Sequence, residues 1–201
     1  MPGWQQRPEN DGNSPLAKAK VSYLCSECGA ARDSRAHSAR ARRRRGLPRW
    51  QGSGTSLWTR GVDMVEASNI LGLDVMVGHW EFTYREDEVL SNVALFKGDF
   101  IGQNVRVKQD ALFGDEYFAM VEKYDGRGLY NEDTGHAFRP YVIKTVGGAR
   151  ICIVGQAFPR TANANPQEFF PDWSFGLRED DMIELVKTIR EEEKHDDIIL
   201  V

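Results

Sequence analysis

The chain has 201 residues, of which 41% are hydrophobic, and its formal net charge is −4. That length suffices for one domain with its own core, and no run of about 18 apolar residues occurs, which argues against a membrane span. Residues 1–60 hold 12 Lys and Arg against 4 Asp and Glu, whereas residues 61–201 hold 14 against 26. This asymmetry indicates that two different kinds of sequence are joined.

The first 49 residues have the composition of a disordered basic arm. Residues 1–20 are rich in Pro, Gly, Asn, Asp and Lys, and residues 29–49 are dominated by Arg, Ala and Ser, ending in the run Arg42–Arg45. With few apolar side chains to bury, we predict a solvated, unstructured segment. Two alternatives stay open, namely an arm that binds nucleic acid through phosphates and a non-native segment read out of frame. No apolar signal-peptide core follows Met1, so the chain shows no export signal.

Cysteines and isolated histidines point to no site of their own. Cys25 and Cys28 have the spacing of half a zinc ribbon or of a redox pair, with His37 as a further nearby ligand. A closed zinc site needs four ligands, so we expect no metal there. His136 and His195 lie in polar contexts and are expected to be exposed.

From Trp50 onward, helical and strand patterns alternate. A helix is predicted over residues 63–71, with Asp63 as its cap and Gly72 as its stop. A buried strand over 73–77, a helix over 86–96 and a strand over 99–105 follow. This order predicts a parallel sheet with right-handed crossovers.

The second half of the chain is less regular. Gly, Asp and Asn are frequent in residues 106–137, which predicts an irregular insertion. A hairpin is predicted over 141–146 and 149–154 around Gly147-Gly148. A long loop over 159–176, an amphipathic helix over 178–193 and a last buried strand over 197–201 complete an α/β chain.

The most informative stretch is Val77-Gly78-His79-Trp80-Glu81-Phe82-Thr83-Tyr84, directly after the first predicted strand. A histidine and a carboxylate at this place lie where open α/β sheets bind ligands. Taken alone, a histidine beside a tryptophan is more typical of a structural hydrogen-bonding residue. This stretch, however, resembles the loop Gly-Asn-His-Glu-Phe-Asp of the dinuclear-metal hydrolases related to 5'-nucleotidases. Within them, His-Trp followed by Phe-Thr-Tyr is similar to the SoxB thiosulfohydrolases of bacterial sulfur oxidation.

The resemblance implies roles for this loop. His79 stands in the place of a metal-binding Asn, Trp80 in that of a transition-state His, and Thr83 in that of an Asp. Imidazole suits Mn, Fe or Zn, so the resemblance implies that His79 is a metal ligand. The resemblance then implies that Trp80 and Glu81 hold His79 in place without binding the metal themselves.

Two later stretches carry the same resemblance. Residues 154–159, with 162–166 and 171–176, resemble a SoxB loop that approaches the substrate cleft, and residues 100–105 resemble another strand end. The resemblance implies that Gln156 and Asn165 bind an anionic sulfur group through their amides and that Asn104 lines the site. The alternative is that these amides satisfy loop backbone.

The resemblance covers residues 50–201 and implies a partial metallophosphoesterase-type α/β sandwich, a fragment of a larger enzyme, with residues 1–49 outside that domain. The family's metal-bridging Asp falls at Pro48, which has no side-chain oxygen, and no Asp-x-His motif occurs in the chain. The intact family binds two divalent metals, typically Mn in SoxB. Since His79 is then the one ligand left, the resemblance implies little metal binding or hydrolysis by this chain alone.

The implied reaction of the whole enzyme is sulfate release from a cysteine-S-thiosulfonate on a sulfur-carrier protein, in the periplasm, by a metal-activated water. A 5'-nucleotidase-like phosphohydrolase is the alternative, against which Trp80 in place of the catalytic His argues. A second alternative is a non-catalytic remnant that binds nucleic acid, although nucleic acid is not the partner we expect.

Overall fold

The computed structural model describes residues 22–25, 30–33, 50–113, 115–124, 130–131, 133–146, 148–191 and 198–200. Its helices are α1 (Gly54–Trp58), α2 (Val62–Leu71), α3 (Glu86–Leu95), α4 (Asp115–Tyr124), α5 (Thr161–Ala164) and α6 (Glu179–Glu191). Its strands are β1 (Ser22–Cys25), β2 (Ala30–Asp33), β3 (Val75–Val77), β4 (Asp99–Ile101), β5 (Arg106–Val107), β6 (Tyr141–Val146), β7 (Ala149–Val154), β8 (Trp173–Ser174) and β9 (Ile198–Leu200). None of the described helices is long and apolar enough to cross a membrane.

Two sheets pack against each other, with helices on their outer faces. One sheet has the order β2-β1-β3-β4 and the other the order β6-β7-β9. Alternate residues of β7 point to opposite sides: Ile151 and Ile153 share an apolar cluster with Val75 of β3, whereas Cys152 packs with Ile189 of α6. The predicted α/β sandwich is confirmed at the level of fold class.

Helices α2 and α3 cover the outer face of the first sheet. The geometry of the ends of α2 follows from local chemistry: the helix begins after Gly61, at φ 88°, and ends at Gly72, at φ 66°, as the sequence predicts for its stop. Asp63, predicted as the cap, instead lies in the first turn of α2 and accepts hydrogen bonds from Ser56 and Thr59. Gly61 takes the cap position because the left-handed backbone there disfavours side chains.

Strand pairing follows the predicted order. β3 and β4 are parallel, with Val75 opposite Asp99 and Val77 opposite Ile101. β6 and β7 form the predicted antiparallel hairpin, in which Tyr141 lies opposite Val154. β9 is parallel to β7. The predicted strand over 99–105 is shorter than expected, because the chain leaves the sheet after Ile101.

Residues 106–137 are more regular than the sequence predicts. Helix α4 lies in this stretch and buries Tyr117 and Val121 in the main core. Strand β5 pairs with β8, which lies in the predicted long loop over 159–176. The partner of each of these elements is distant in the chain, so their local patterns are weak.

Residues 1–49, which the composition predicts to be a disordered arm, contain the two strands β1 and β2. β1 runs parallel to β3, with Tyr23 opposite Val75, and pairs antiparallel with β2. Val, Tyr, Leu and Cys at residues 21–25 supply the strand propensity that the arm's overall composition hides. The predicted features at Cys28, His37, the run 42–45, Pro48 and His195 lie outside the described residues.

Candidate functional site

Three strands of the two sheets end at one place. β3 leads into Gly78 and His79, β4 into residues 102–104, and β7 into residues 155–158. The amide of Gln103 donates to the carbonyl of Gly155 at 2.7 Å, and the amide of Phe158 donates to the carbonyl of Gly78 at 3.3 Å. We call these three segments the strand-end rim. Convergent strand ends of this kind are where α/β sheets place ligands.

The rim closes because two of its three glycines, Gly78 and Gly155, stand where a side chain would clash. A Cβ on Gly155 would lie 2.7 Å from the backbone carbon of Ile101 and 2.8 Å from the backbone nitrogen of Gly102. A Cβ on Gly78 would lie 2.6 Å from the ring of Phe82. The close approach of β4 to β7 therefore requires a residue without a side chain at position 155.

His79 is held by both its backbone and its ring. Its amide donates to the Glu81 carboxylate at 2.7 Å. Its imidazole stacks on Phe158, with ring centroids 4.3 Å apart and planes at 26°, and lies 5.3 Å from the ring of Trp80. The half-buried imidazole thus has a defined place in the rim, between residues that follow β3 and β7.

Glu81 is a buried acceptor for backbone donors. It is 1% exposed, and its two oxygens accept from the amides of Trp50, at 3.2 Å, and His79, at 2.7 Å. Trp80, the other residue predicted to support the ligand, is half-buried, and its carbonyl accepts from the Thr83 hydroxyl at 2.8 Å. Glu81 therefore ties the start of the α/β segment, at Trp50, to the loop that carries His79.

We expect Glu81→Gln to destabilise the protein by roughly 1–3 kcal/mol, since one of the two backbone donors would then face an amide NH₂ instead of an oxygen. Urea unfolding monitored by circular dichroism measures the change. Glu168→Gln, at an exposed position, is the matched control and should leave the unfolding midpoint unchanged. An E81Q midpoint equal to that of the control would contradict the assigned role.

Asn104 and Gln156 lie in the rim but have their amides occupied. Asn104 is fully buried; its Nδ2 donates to the carbonyls of Ala157 and Gly176, both at 2.8 Å, and its Oδ1 accepts from the Ala157 amide at 2.8 Å. Burial leaves no atom of Asn104 accessible to a substrate, which differs from its predicted place lining the site. Its side chain instead fastens the loop after β4 to the loop after β7.

Gln156 is half-buried and sits in a chain of amides. Its Oε1 accepts from Gln103 at 2.6 Å, and its Nε2 donates to the carbonyl of Leu177 at 3.0 Å. Asn165 ends α5, where its Nδ2 donates to the carbonyl of Thr161 at 3.2 Å. Each of these two side chains donates a hydrogen bond to a backbone carbonyl of a loop or helix end, which is the kind of contact that the alternative interpretation of the sequence predicts.

The donor set of the rim does not fit a two-metal centre. Among the described residues, no group of three or more His, Cys, Asp or Glu side chains is placed to hold a metal ion. The His79 imidazole stacks on Phe158 and lies beside the ring of Trp80, while the Glu81 carboxylate accepts from the His79 backbone amide. Further ligands would have to come from outside the described residues.

A polar cluster that the sequence did not indicate lies beside the rim. His136, predicted to be exposed, is 4% exposed, and its Nδ1 lies 2.6 Å from the Thr134 hydroxyl and 3.4 Å from Nη1 of Arg106. Burial and the nearby Arg106 charge lower the pKa of His136 to about 4. The signal available in the sequence was Arg106 itself, a lone cation between the apolar Val105 and Val107.

A second unpredicted group is the buried carboxyl of Glu86, at the start of α3. Its Oε1 accepts from the amides of Asp172, at 2.9 Å, and Trp173, at 3.0 Å. Burial, and next the charge of Asp172, raise the pKa of Glu86 to about 8. Glu86 thereby anchors the segment that leads into β8 and on to the rim.

Comparison with solved structures places this arrangement in a known fold. Thermus thermophilus sulfate thiohydrolase SoxB, in complex with glycerol, matches 71% of this chain and 22% of its own length, at 31% identity and a TM-score of 0.56. A 5'-nucleotidase precursor from Thermus thermophilus matches 71% of this chain and 24% of its own, at 18% identity and a TM-score of 0.50. The calcineurin-like phosphoesterase YfkN from Bacillus subtilis matches 76% and 44%, at 14% identity and 0.50.

The chain spans less than half of the length of each of these three proteins. No protein-family profile matches it, and no curated protein sequence does so. The described residues adopt part of the α/β sandwich seen in SoxB, 5'-nucleotidases and calcineurin-like phosphoesterases.

Proposed function

We propose that this chain is part of a SoxB-like hydrolase which, as a whole, releases sulfate from a cysteine-S-thiosulfonate on a sulfur-carrier protein in the periplasm. The observation that carries the proposal is the likeness to sulfate thiohydrolase SoxB, at 31% identity. The position of His79 in the strand-end rim, with Trp80 directly after it, supports the proposal, since this pair is the part of the sequence that is similar to SoxB rather than to nucleotidases.

Within that enzyme, His79 is the residue of this chain that we assign to a metal. The resemblance implies two divalent metals in the whole enzyme, typically Mn, and such metals would supply an activated water. The stacking of the imidazole on Phe158 and the bond from its amide to Glu81 orient the ring before any ligand arrives. The side-chain amides of Gln156 and Asn165 each donate one of their two N–H groups to a loop carbonyl, so the second N–H of each nitrogen is the group that we assign to a substrate oxygen.

The second candidate is a 5'-nucleotidase-like phosphohydrolase. The 5'-nucleotidase precursor and YfkN share the fold at TM-scores of 0.50, so the architecture favours neither reaction. Trp80 weighs against this candidate, because an indole N–H can donate a hydrogen bond but, unlike an imidazolium, carries no positive charge and transfers no proton to a phosphate ester.

Reading all frames of the gene on both sides of this chain tests the proposal. We expect a Gly-Asp-Thr motif in another frame near codons 20–50, an Asp-x-His motif before it, and His motifs downstream. Stop codons on both sides, with none of these motifs in any frame, would refute membership in a larger hydrolase. The whole protein, once expressed, should release sulfate from a thiosulfonate peptide faster than phosphate from AMP; the reverse order would favour the nucleotidase.

We further expect the 201-residue chain alone to hydrolyse neither substrate at a measurable rate with Mn²⁺. The reason is that the described residues do not supply a metal-binding group beyond His79. Ion chromatography of released sulfate and a colorimetric phosphate assay measure both reactions. Strong Mn²⁺-dependent turnover that is lost in His79→Ala would contradict this expectation.

A further inference from the structure

Two arginines are fixed side by side next to the rim. Arg106 lies on β5 directly opposite Ser174 of β8. The Ser174 hydroxyl donates to the Arg106 carbonyl at 3.2 Å and accepts from Nη2 of Arg178 at 3.0 Å. Arg106 also donates through Nη1 to the carbonyl of Thr134. Both guanidinium groups are therefore held in place by backbone-anchored partners.

Both guanidinium groups share one carboxylate oxygen. Oδ2 of Asp181 lies 3.2 Å from Nη2 of Arg106 and 3.9 Å from Nη1 of Arg178. A carboxylate can accept a parallel pair of bonds from one arginine, but here each arginine makes a single-oxygen contact. Two positive charges thus meet one negative charge, and Asp181 itself is 45% exposed.

Buried donors in this cluster lack acceptors. The Nε atoms of Arg106 and Arg178 are both buried with no hydrogen-bond partner among the described residues, as is Nε2 of His136 beside Arg106. Buried polar groups are almost always paired, so several unpaired atoms at one place need a cause. The two Nε–H groups and the excess positive charge both call for an anion with several acceptor oxygens.

We propose that Arg106 and Arg178 form a binding site for a tetrahedral oxyanion of the sulfate or phosphate class, in which the anion's oxygens accept from the Nε–H groups and compete with Asp181. The side chains of the two arginines are 19% and 31% exposed, so an ion from solvent can reach their outer nitrogens. Contact with the buried Nε–H groups requires the side chains to shift away from Asp181 as the anion displaces it. The site is distinct from the His79 segment, and it does not depend on the proposed hydrolysis.

The charges around the site set its expected behaviour. Asp181 is the carboxylate in contact with both arginines, while Glu179 and Asp180, in the same first turn of α6, are exposed. Burial, and next the charge of Arg106, lower the pKa of His136, and a bound anion would offset the part that comes from the arginine charge. Sulfate binding should therefore strengthen at lower pH in the wild type, and less so in His136→Gln.

Sulfate titration by isothermal calorimetry, with NaCl used to hold ionic strength constant, tests the site. We expect saturable binding at one site per chain, weakened about tenfold or more in Arg178→Gln and in the more conservative Arg178→Lys, which keeps the charge but loses the Nε–H donor. Asp181→Asn should bind more tightly, because the competing carboxylate is gone. Arg139→Gln, at a 45% exposed arginine paired with Asp99, is the control and should bind like the wild type.

Each variant is first checked for folding by circular dichroism, and R178K serves where R178Q does not fold. Absence of saturable sulfate binding by the wild type overturns the proposal. Equal binding by the wild type and both Arg178 variants, or weaker binding by D181N, overturns it as well. Phosphate in place of sulfate should give the same ranking of variants, since the shared tetrahedral oxyanion is the feature recognised.

Discussion

The stability of this protein is expected to fall as pH rises from about 6.5 to about 8, and Glu86→Gln is expected to abolish that fall. Glu86 is 4% exposed, and its pKa rises from 4.5 in the unfolded chain to about 8 in the fold. The folded state therefore binds the proton more tightly than the unfolded state, so its contribution is complete below pH 4.5 and is lost through pH 8.

The cause of this shift determines its size. Burial is the largest contribution, followed by the charge of Asp172, while the backbone donors of Asp172 and Trp173 act in the opposite direction. The full effect between the two pKa values is on the order of a few kcal/mol. Glutamine mimics the protonated carboxyl, because its oxygen can still accept from both amides and its NH₂ can face Asp172.

His136 produces the opposite slope in a lower window. Its pKa falls from 6.5 in the unfolded chain to about 4 in the fold, so the unfolded state binds more protons between these values. Its contribution is complete above pH 6.5 and is lost as pH falls to 4. Between pH 4.5 and 6.5 the two groups oppose each other, and of these two only Glu86 still titrates above pH 6.5.

Urea unfolding at pH 5, 6.5, 7.5 and 8.5 separates these contributions. The wild type should lose stability above pH 6.5, whereas E86Q should show a flat profile there. Asp87→Asn, which changes the exposed neighbouring carboxylate that pairs with Lys123, is the control and should retain the wild-type slope. A slope above pH 6.5 that is the same in E86Q and D87N would show that Glu86 is not the titrating group.

Local periodicity predicted the elements whose partners are near in the chain. α2, α3, the β3–β4 pair and the β6–β7 hairpin follow from apolar spacing and from glycines at turns and helix ends. α4, β5 and β8 were not predicted, because their burial arises from contacts with distant segments. The Gly, Asp and Asn around α4 hide an apolar face of two buried residues, Tyr117 and Val121.

The distinction between local and distant contacts also explains which features of the candidate site the sequence predicts. The place of His79 at the carboxyl end of β3 follows from sequence, because a strand and its next residues are local. The occupied amides of Asn104 and Gln156 do not, since Asn104 binds Ala157 and Gln103 binds Gln156 across 53 residues. Likewise, the burial of His136 depends on Arg106, which is 30 residues away. Sequence reasoning locates strand ends, and tertiary contacts decide which side chains there are accessible.

Gly155→Ala is expected to destabilise the protein by about 1–3 kcal/mol, the range for a forced overpacking against fixed atoms. The new Cβ would lie 2.7 Å from the backbone carbon of Ile101. Backbone cannot rotate aside as a side chain does, so the ends of β4 and β7 must separate. That separation lengthens the bond from the Gln103 amide to the Gly155 carbonyl, now 2.7 Å.

Gly176→Ala is the matched control, because Gly176 also adjoins Asn104 but a Cβ there would meet its nearest atom, in the Arg178 side chain, at an ordinary 3.7 Å. Urea unfolding should place G176A within about 1 kcal/mol of the wild type. Hydrogen exchange of the Gln103 and Ala157 amides should accelerate in G155A and not in G176A, since both amides bond across the junction of β4 and β7. Equal stability and equal exchange in the two variants would mean that the strand-end rim tolerates separation, and that Gly155 is not what brings its segments together.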